Sequence, residues 1–434
     1  MRYDVGARIV LLGETRFLNI CGDVARARET AAAVARRSYG KLIAFLAART
    51  RDVAAAEDAL GEAFAAALAD WPVNGCPASP EAWLLTVARR KMIDGARRRR
   101  SGEAAADQLL ILMDELEQPA SDATAIPDNR LALMFACAHP AIDAGIRAPL
   151  ILQAVVGLDA ATIASAFLMA PAAMRQRLVR AKRKIRDAGI PFRIPERAEL
   201  GARLDAVLES IYAVFAEGWA DAAGTDVARR DLAEEGIFLG RLVTELLPGE
   251  PEALGLLALM LHAEARRRAR RDAYGRYVPF AGQDTSLWDR AMIEQAESLL
   301  YEASRAGTIG RYQLEAALQS AHVHRRLTNA SNWPHVVQLY DALLELSKSP
   351  VVAINRALAI GEMRGPASAL VELDAIAADP RLLEYQPYWA ARAELLARTG
   401  AHAEARAAYE VAIGLERDEA VRRFLQERAA TLPT

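Results

Sequence analysis

The chain has 434 residues, 53% of them apolar and 25% charged, with a formal net charge of −2. That length has room for roughly two to four domains with sizeable cores. The near-neutral balance excludes a global field that gathers nucleic acid, so any such attraction must rest on local basic patches. The patches with helical spacing, Arg89 to Arg100 and Arg175 to Arg186, lie in the first half of the chain.

Alanine, leucine, arginine and glutamate are abundant, while runs of valine, isoleucine and threonine are scarce. The mixture predicts an all-α fold. Cys21, Cys76 and Cys137 show no CxxC or Cys/His ligand spacing. That usage argues for a reducing, cytoplasmic setting and against a disulfide framework. No apolar run approaches the roughly 20 residues that span a bilayer.

In chain order, residues 1–26 begin MRYDVGARIVLLGETRFLNI. They lack the basic, apolar and small-residue succession of a signal peptide, and are expected to form a non-helical leader outside the folded core. Residues 27–104 are patterned as helices, interrupted by the Pro, Gly and Asn of WPVNGCPASP, Trp71 to Pro80. Such a cluster reads as a loop between helical units. The next stretch, WLLTVARRKMIDGARRRR (Trp83 to Arg100), winds into a helix with two unlike faces. Leu84, Val87, Ala88, Met92 and Ala96 share one side, and Arg89, Arg90 and Arg97 the other. A helix packed on one side and cationic on the other suits a polyanion.

Residues 105–128 turn acidic and irregular and read as a linker that holds one short amphipathic helix. Helical patterning returns over 129–192. DAATIASAF (Asp159 to Phe167) forms a short helix, LMAP (Leu168 to Pro171) a turn, and AAMRQRLVRAKRKIR a second helix. Ile163 and Ala164 face the core from the first helix; Met174, Leu178, Ala181 and Ile185 do so from the second. The opposite face carries Ala172, Gln176, Arg180 and Arg183, flanked by Arg175 and Arg186. The unit resembles a helix-turn-helix. In such a unit Ala172, Ala173, Arg175 and Gln176 stand near base edges while Arg180 and Arg183 hold phosphates. PFRIP (Pro191 to Pro195) punctuates the chain next, and residues 193–434 form one long helical region.

The order of these blocks resembles a bacterial sigma factor of the extracytoplasmic-function class, over about Ala27 to Pro195. AEDALGEAFAAAL (Ala56 to Leu68) is similar to the acidic helix that docks on the β′ clamp helices of core RNA polymerase, with Asp58 and Glu62 at matching positions. WLLTVARRKMIDGARRR is similar to the helix that reads the −10 element, with Trp83, Asp94 and Arg97 matching. Arg89, Arg90 and Arg98 complete its cationic surface. AATIASAF…APAAMRQRLVRAKRKIR is similar to the −35-reading helix-turn-helix. Gly61 stands where many members carry Gln, and Arg90 where many carry Asn. The resemblance implies core polymerase (β′ clamp helices and β flap) and promoter DNA as partners, with no membrane.

IPDNRLALMFACAHPAI, GRLVTELLPGEPEALGLLALMLHAEARR and QDTSLWDRAMI further resemble a subgroup with a long helical C-terminal extension. Within that extension Trp389, Ala393, Leu396, Gly400, Ala405, Tyr409 and Ala412 fit tetratricopeptide spacing, and a looser unit spans Ala357 to Ile376. The extension is expected to regulate the sigma core, through an intramolecular contact or a regulatory protein.

No catalytic constellation stands out, and neither enzyme chemistry nor a cofactor or metal is expected. His322 and His324 lie two apart, wrong for one helix face, and His262, His335 and His402 are isolated. In QDTSLWD, Asp284, Trp288 and Asp289 can form a polar site, and an equally good reading has Thr285 or Ser286 cap a helix that begins near Leu287. The competing reading is a conventional helix-turn-helix regulator with a tetratricopeptide-like sensor, for which the Ala56–Arg100 block is superfluous.

Overall fold

The computed structural model describes residues 5–99, 127–167, 169–220 and 227–433. Among them every regular element is helical, in agreement with the all-α expectation; one isolated antiparallel bridge joins Arg271 and Tyr277. The acidic linker and its short helix lie, up to residue 126, outside the described residues. The chain divides into two compact units, residues 1–217 and 218–434.

The first unit opens with α1 (Val5–Thr50), which corrects the expectation of a non-helical leader. The segment contains no proline, and its alanine- and arginine-rich centre extends the helix in both directions. Helix α2 (Val53–Asn74) is capped by Asp52, which accepts from the Ala55 N–H at 3.0 Å. It ends at Gly75, whose φ of 85° suits glycine. Helix α3 (Pro80–Arg99) follows. Trp71, 1% exposed, meets Trp83 edge-on at 5.5 Å and so fixes the end of α2 against the start of α3.

Beyond the linker come α4 (Arg130–Cys137), α5 (Ala144–Ile151), α6 (Ala160–Ala166), α7 (Pro171–Asp187) and α8 (Arg197–Ala220). Helix α4 is apolar all round, and Leu131 through Ala138 are each at most 8% exposed. Such a helix belongs inside a core. Helix α5 runs on into a π-turn, Leu152–Val156, that ends at Gly157 with φ 89°. This turn seats on α1: a Cβ on Gly40 would overlap the Val155 carbonyl, and one on Gly157 would meet the Tyr39 ring at 2.8 Å. Arg203 of α8 donates to the Phe135 carbonyl at 3.0 Å. The first unit thus reaches Glu217 and takes in most of α8.

The second unit holds α9 (Val227–Leu246), α10 (Pro251–Glu264), α11 (Arg290–Ser304), α12 (Arg311–Thr328) and α13 (Trp333–Ser347). Then come α14 (Pro350–Arg364), α15 (Pro366–Ile376), α16 (Gln386–Arg398), α17 (His402–Leu415) and α18 (Glu419–Ala430). Helix α10 is buried from Ala253 to Ala263, and Gly255 lets the backbone of α12 approach closely. The N-cap of α12 is Gly310, which has no side chain to offer. Glu252 of α10 supplies the missing cap, accepting from the Tyr312 and Gln313 N–H groups at 3.0 and 3.1 Å.

Helices α16 and α17 form a hairpin around Gly400 (φ 84°). Ala393, Ala408, Tyr409 and Ala412 share one core with Trp389 and Leu396 packed against it. The Tyr409 hydroxyl donates to Glu394 at 3.0 Å, and Glu394 also pairs with Arg428 at 2.6 Å. The last helix, capped by Asp418, meets the loop after α10: Arg271 pairs with Asp418, and Tyr277 packs edge-on against Phe424 at 5.5 Å. The run of hairpins therefore closes back on its own start.

The capping in QDTSLWD differs from expectation. Asp284 caps a 3-10 turn, Thr285–Leu287, and Asp289 caps α11 by accepting from the Met292 N–H at 3.0 Å. A carboxylate carries a full negative charge toward the backbone donors, which the neighbouring hydroxyls do not, and this moves the helix start to Arg290.

Candidate nucleic-acid interface

Among the residues whose side chains are described, helix α3 has the two faces its periodicity predicts, with one exception. Leu84, Ala88 and Met92 are buried, and Leu85 joins them. Arg90 and Asp94 are exposed. Arg89 is not a free cation of that surface: it is half-buried, with its guanidinium 5.0 Å from the centre of the Phe45 ring. Arg49 stands over the same ring at 4.2 Å. Burial, then the neighbouring Arg49 charge, hold the Arg89 pKa below the usual guanidinium range. Trp83 is half-buried against Trp71, a packing position at the root of α3. The backbone of α3 continues through Arg97 and Arg98, but their side chains lie outside the described ones.

On α2, Asp58 and Glu62 are both exposed. Glu62 pairs with Lys91 of α3 at 3.0 Å, so the acidic helix and the basic helix are tied side by side. Glu57, next to Asp58, points the other way into the unit, where it pairs with Lys182 of α7. The two side chains are 15% and 8% exposed. Burial pushes the Glu57 carboxyl up, against the opposing pull of Lys182. Burial likewise pushes up the Cys137 thiol, which keeps it protonated and unreactive.

Helix α6 is capped by Asp159, which accepts from the Ala161 and Thr162 N–H groups at 2.8 and 3.0 Å. The Thr162 hydroxyl also donates to it, and these bonds hold its carboxyl below the usual range. Helix α7 starts with Pro171 in its first turn. Met174, Leu178, Ala181 and Ile185 are buried, as are Ile163 and Ala164 of α6. Ala172, Ala173, Arg175, Gln176, Arg180 and Arg183 are all exposed.

The basic residues of α7 separate into two groups. Arg177 pairs with Asp143 at 3.0 Å, and Arg186 lies near Asp187 at 3.0 Å and Asp52 at 3.8 Å. No ion pair engages Arg175, Arg180 or Arg183 among the described residues. An open groove of about 410 Å³ runs beside Arg180, lined also by Ile142, Asp143, Ile146, Arg177 and Lys184. Two residues were missed by sequence reasoning, Glu57 and Lys182. A signal existed for the second: Lys182 stands four residues after Leu178, inside the apolar stripe, where a lysine needs a buried partner.

Sigma-70 region 2 matches residues 34–102, and a family of unknown function, DUF6596, matches 203–304. With the helical fold, the first match places a sigma-70 region 2 domain on α1 to α3. The chain is 39% identical over 369 residues to the uncharacterized protein R00370 of Rhizobium meliloti, an alignment that covers 84% of this chain and 87% of that protein. It belongs to the same family as that protein. It is also 33% identical over 169 residues to the probable RNA polymerase sigma factor RfaY of Xanthomonas campestris pv. campestris. That alignment spans 36% of this chain and 42% of the relative. No solved structure matches significantly. Among the described residues no helix is long and apolar enough to cross a membrane.

Proposed function

We propose that the chain is a dissociable specificity subunit of bacterial RNA polymerase, an extracytoplasmic-function sigma factor that acts in the cytoplasm. Its helix α2 docks on the β′ clamp helices through Asp58 and Glu62. The exposed side of α3 with Arg90 and Asp94, together with Arg97 and Arg98, reads the opened −10 element, holding phosphates while a splayed base enters the protein. Helices α6 and α7 form the helix-turn-helix that reads the −35 element in the major groove, with Gln176 and Arg175 at base edges. The C-terminal unit is a tetratricopeptide-like domain that regulates the first unit.

One observation carries this reading: a region 2 match over residues 34–102 followed, in the same compact unit, by a second helix whose cationic side is fully exposed. Arg89 and Trp83 are better assigned to holding α3 in place than to touching DNA.

The test is run-off transcription with purified core polymerase. A promoter-specific product that depends on the chain supports the reading. DNA binding without core-dependent initiation replaces it with the conventional regulator. For the role of the extension, truncation after Glu217 preserves the first compact unit, whereas a cut at Pro195 strips α8 from α4. If the 1–217 fragment transcribed with the full chain's activity and response, regulation by the second unit would be ruled out.

A further inference from the structure

The arginines of the second unit fall into two classes. Arg267, Arg271, Arg356, Arg392 and Arg428 each meet a carboxylate. No ion pair engages Arg266, Arg325 or Arg326 among the described residues. Glu362, whose charge reaches Arg325, is already paired with Arg398 at 2.9 Å. These three guanidiniums converge. His322, Arg325 and Arg326 stand at i, i+3 and i+4 on α12 and so share one face. Arg325 lies over the Trp333 ring at 4.1 Å, and Arg266, just past the end of α10, over the Phe280 ring at 4.9 Å. His322 sits between those two rings, edge-on to each at 5.9 and 6.0 Å. Arg326 reaches the same loop and donates to the Gln283 carbonyl at 2.9 Å.

Their donors are only partly used. Arg266 donates through Nε to the His262 carbonyl at 3.2 Å and through Nη2 to Gln319 at 2.7 Å, and no described group accepts from its Nη1. The Nε atoms of Arg325 and Arg326 and the Nδ1 of His322 are buried without a partner. Arg266 is only 9% exposed, and burial, then the neighbouring Arg270, hold its pKa down to about 10. That is still far above neutral pH, so the charge is not shed. Burial, then Arg325 and Arg266, push His322 down to about 4, so its imidazole is neutral and adds no further charge. A buried guanidinium without a counter-charge is costly, and three set close together repel. An anion from solution removes both costs.

We propose that Arg266, Arg325, Arg326 and His322 form a binding site for a phosphate group, either free or carried on a small molecule. Three planar forks with no acidic group among them call for a dianion that offers oxygens on several sides; a monocarboxylate engages one fork at a time. The neutral imidazole can add one further donor. The site lies wholly within the second unit and is independent of the sigma reading.

The experiment is hydrogen exchange of the full-length chain, read by mass spectrometry, in millimolar inorganic phosphate against chloride at matched ionic strength. Phosphate should slow exchange in peptides over 280–290 and 320–335 and acetate should not. Arg325→Gln/Arg326→Gln should raise the half-saturating phosphate concentration by at least about tenfold. Arg180→Ala/Arg183→Ala, in the first unit, should leave it unchanged. Arg325→Lys keeps the charge and loses the fork; it should weaken the response while exchange in chloride stays that of the wild type, which separates a lost ligand from a lost fold. A nucleoside monophosphate at equal concentration distinguishes the sources: stronger protection than inorganic phosphate assigns the group to a nucleotide, and equal or weaker protection assigns it to the free ion. No protection of these peptides, or equal protection by acetate, overturns the site. A full phosphate response in Arg325→Gln/Arg326→Gln shows that these arginines only pack against Trp333 and Gln283.

Discussion

The pairing pattern on α7 separates arginines that DNA phosphates can recruit from those already engaged. Arg180 and Arg183 are exposed with no ion pair among the described residues, whereas Arg177 is held by Asp143 at 3.0 Å. Each arginine that neutralises a phosphate adds about 0.9 to the slope of log affinity against log salt. Between 50 and 200 mM salt that is about 3.5-fold in affinity per residue, and about twelvefold for two. Removing both in Arg180→Ala/Arg183→Ala should therefore lower the slope by about 1.8 and weaken binding uniformly across promoter sequences. Arg177→Ala should change it much less, because that guanidinium must first leave Asp143. The assay is promoter binding by the polymerase complex across a salt series. An unchanged slope in the double variant, or an equal fall in Arg177→Ala, would show that this face does not hold DNA.

The remaining predictions concern specificity and stability. Gln176→Ala should alter base preference within the −35 element without changing the salt slope, read by transcription from a randomised promoter library; an unchanged preference removes Gln176 from the base edges. His262 is fully buried and its pKa is pushed down to about 4, by burial first and then by Arg266, with Glu297 3.4 Å from its Nε2. The unfolded chain takes up a proton near pH 6.5 that the folded chain refuses, so stability falls as pH drops from 6.5 toward 4. At pH 5 the cost is about 2 kcal/mol, and His262→Gln should show that much less loss than the wild type between pH 7 and pH 5 in denaturant melts. Glu252→Ala leaves the Tyr312 and Gln313 N–H groups of α12 without their acceptor. It should cost about 2–4 kcal/mol, a melting shift of about 5–10 °C for a unit of this size, with Glu252→Gln retaining part of it. Equal melting of Glu252→Ala and wild type would show that α12 is capped by other means.

Much of the helical plan is local and so is legible in residue order. The stripes Leu84/Ala88/Met92 and Met174/Leu178/Ala181/Ile185 are buried where the 3.6-residue period puts them. The exposure of Gln176, Arg180 and Arg183 follows, since one face of a helix fixes the other. The small and large positions around Tyr409 likewise meet in one hairpin core. Three local readings fail for local reasons: the loop expected over Trp71 to Pro80 begins only after Asn74, because α2 runs on through Pro72 with Trp71 buried at its end. Residues 1–26 read as a leader although nothing in them breaks a helix, and hydroxyls are the expected caps where Asp284 and Asp289 compete.

Other facts depend on residues far apart in the chain. Lys182 and Glu57 are 125 positions apart, and no periodicity pairs them. Arg89 and Arg90 look alike in sequence, yet only Arg89 has Phe45 beneath it. Residue order settles most of the helical segments, their apolar stripes and the location of the basic surfaces, because those depend on neighbours within a turn or two. Only the packed chain settles which charges are already engaged and that α7 rests against α2. Burial, and the partner a buried charge requires, come from segments that residue order leaves far apart.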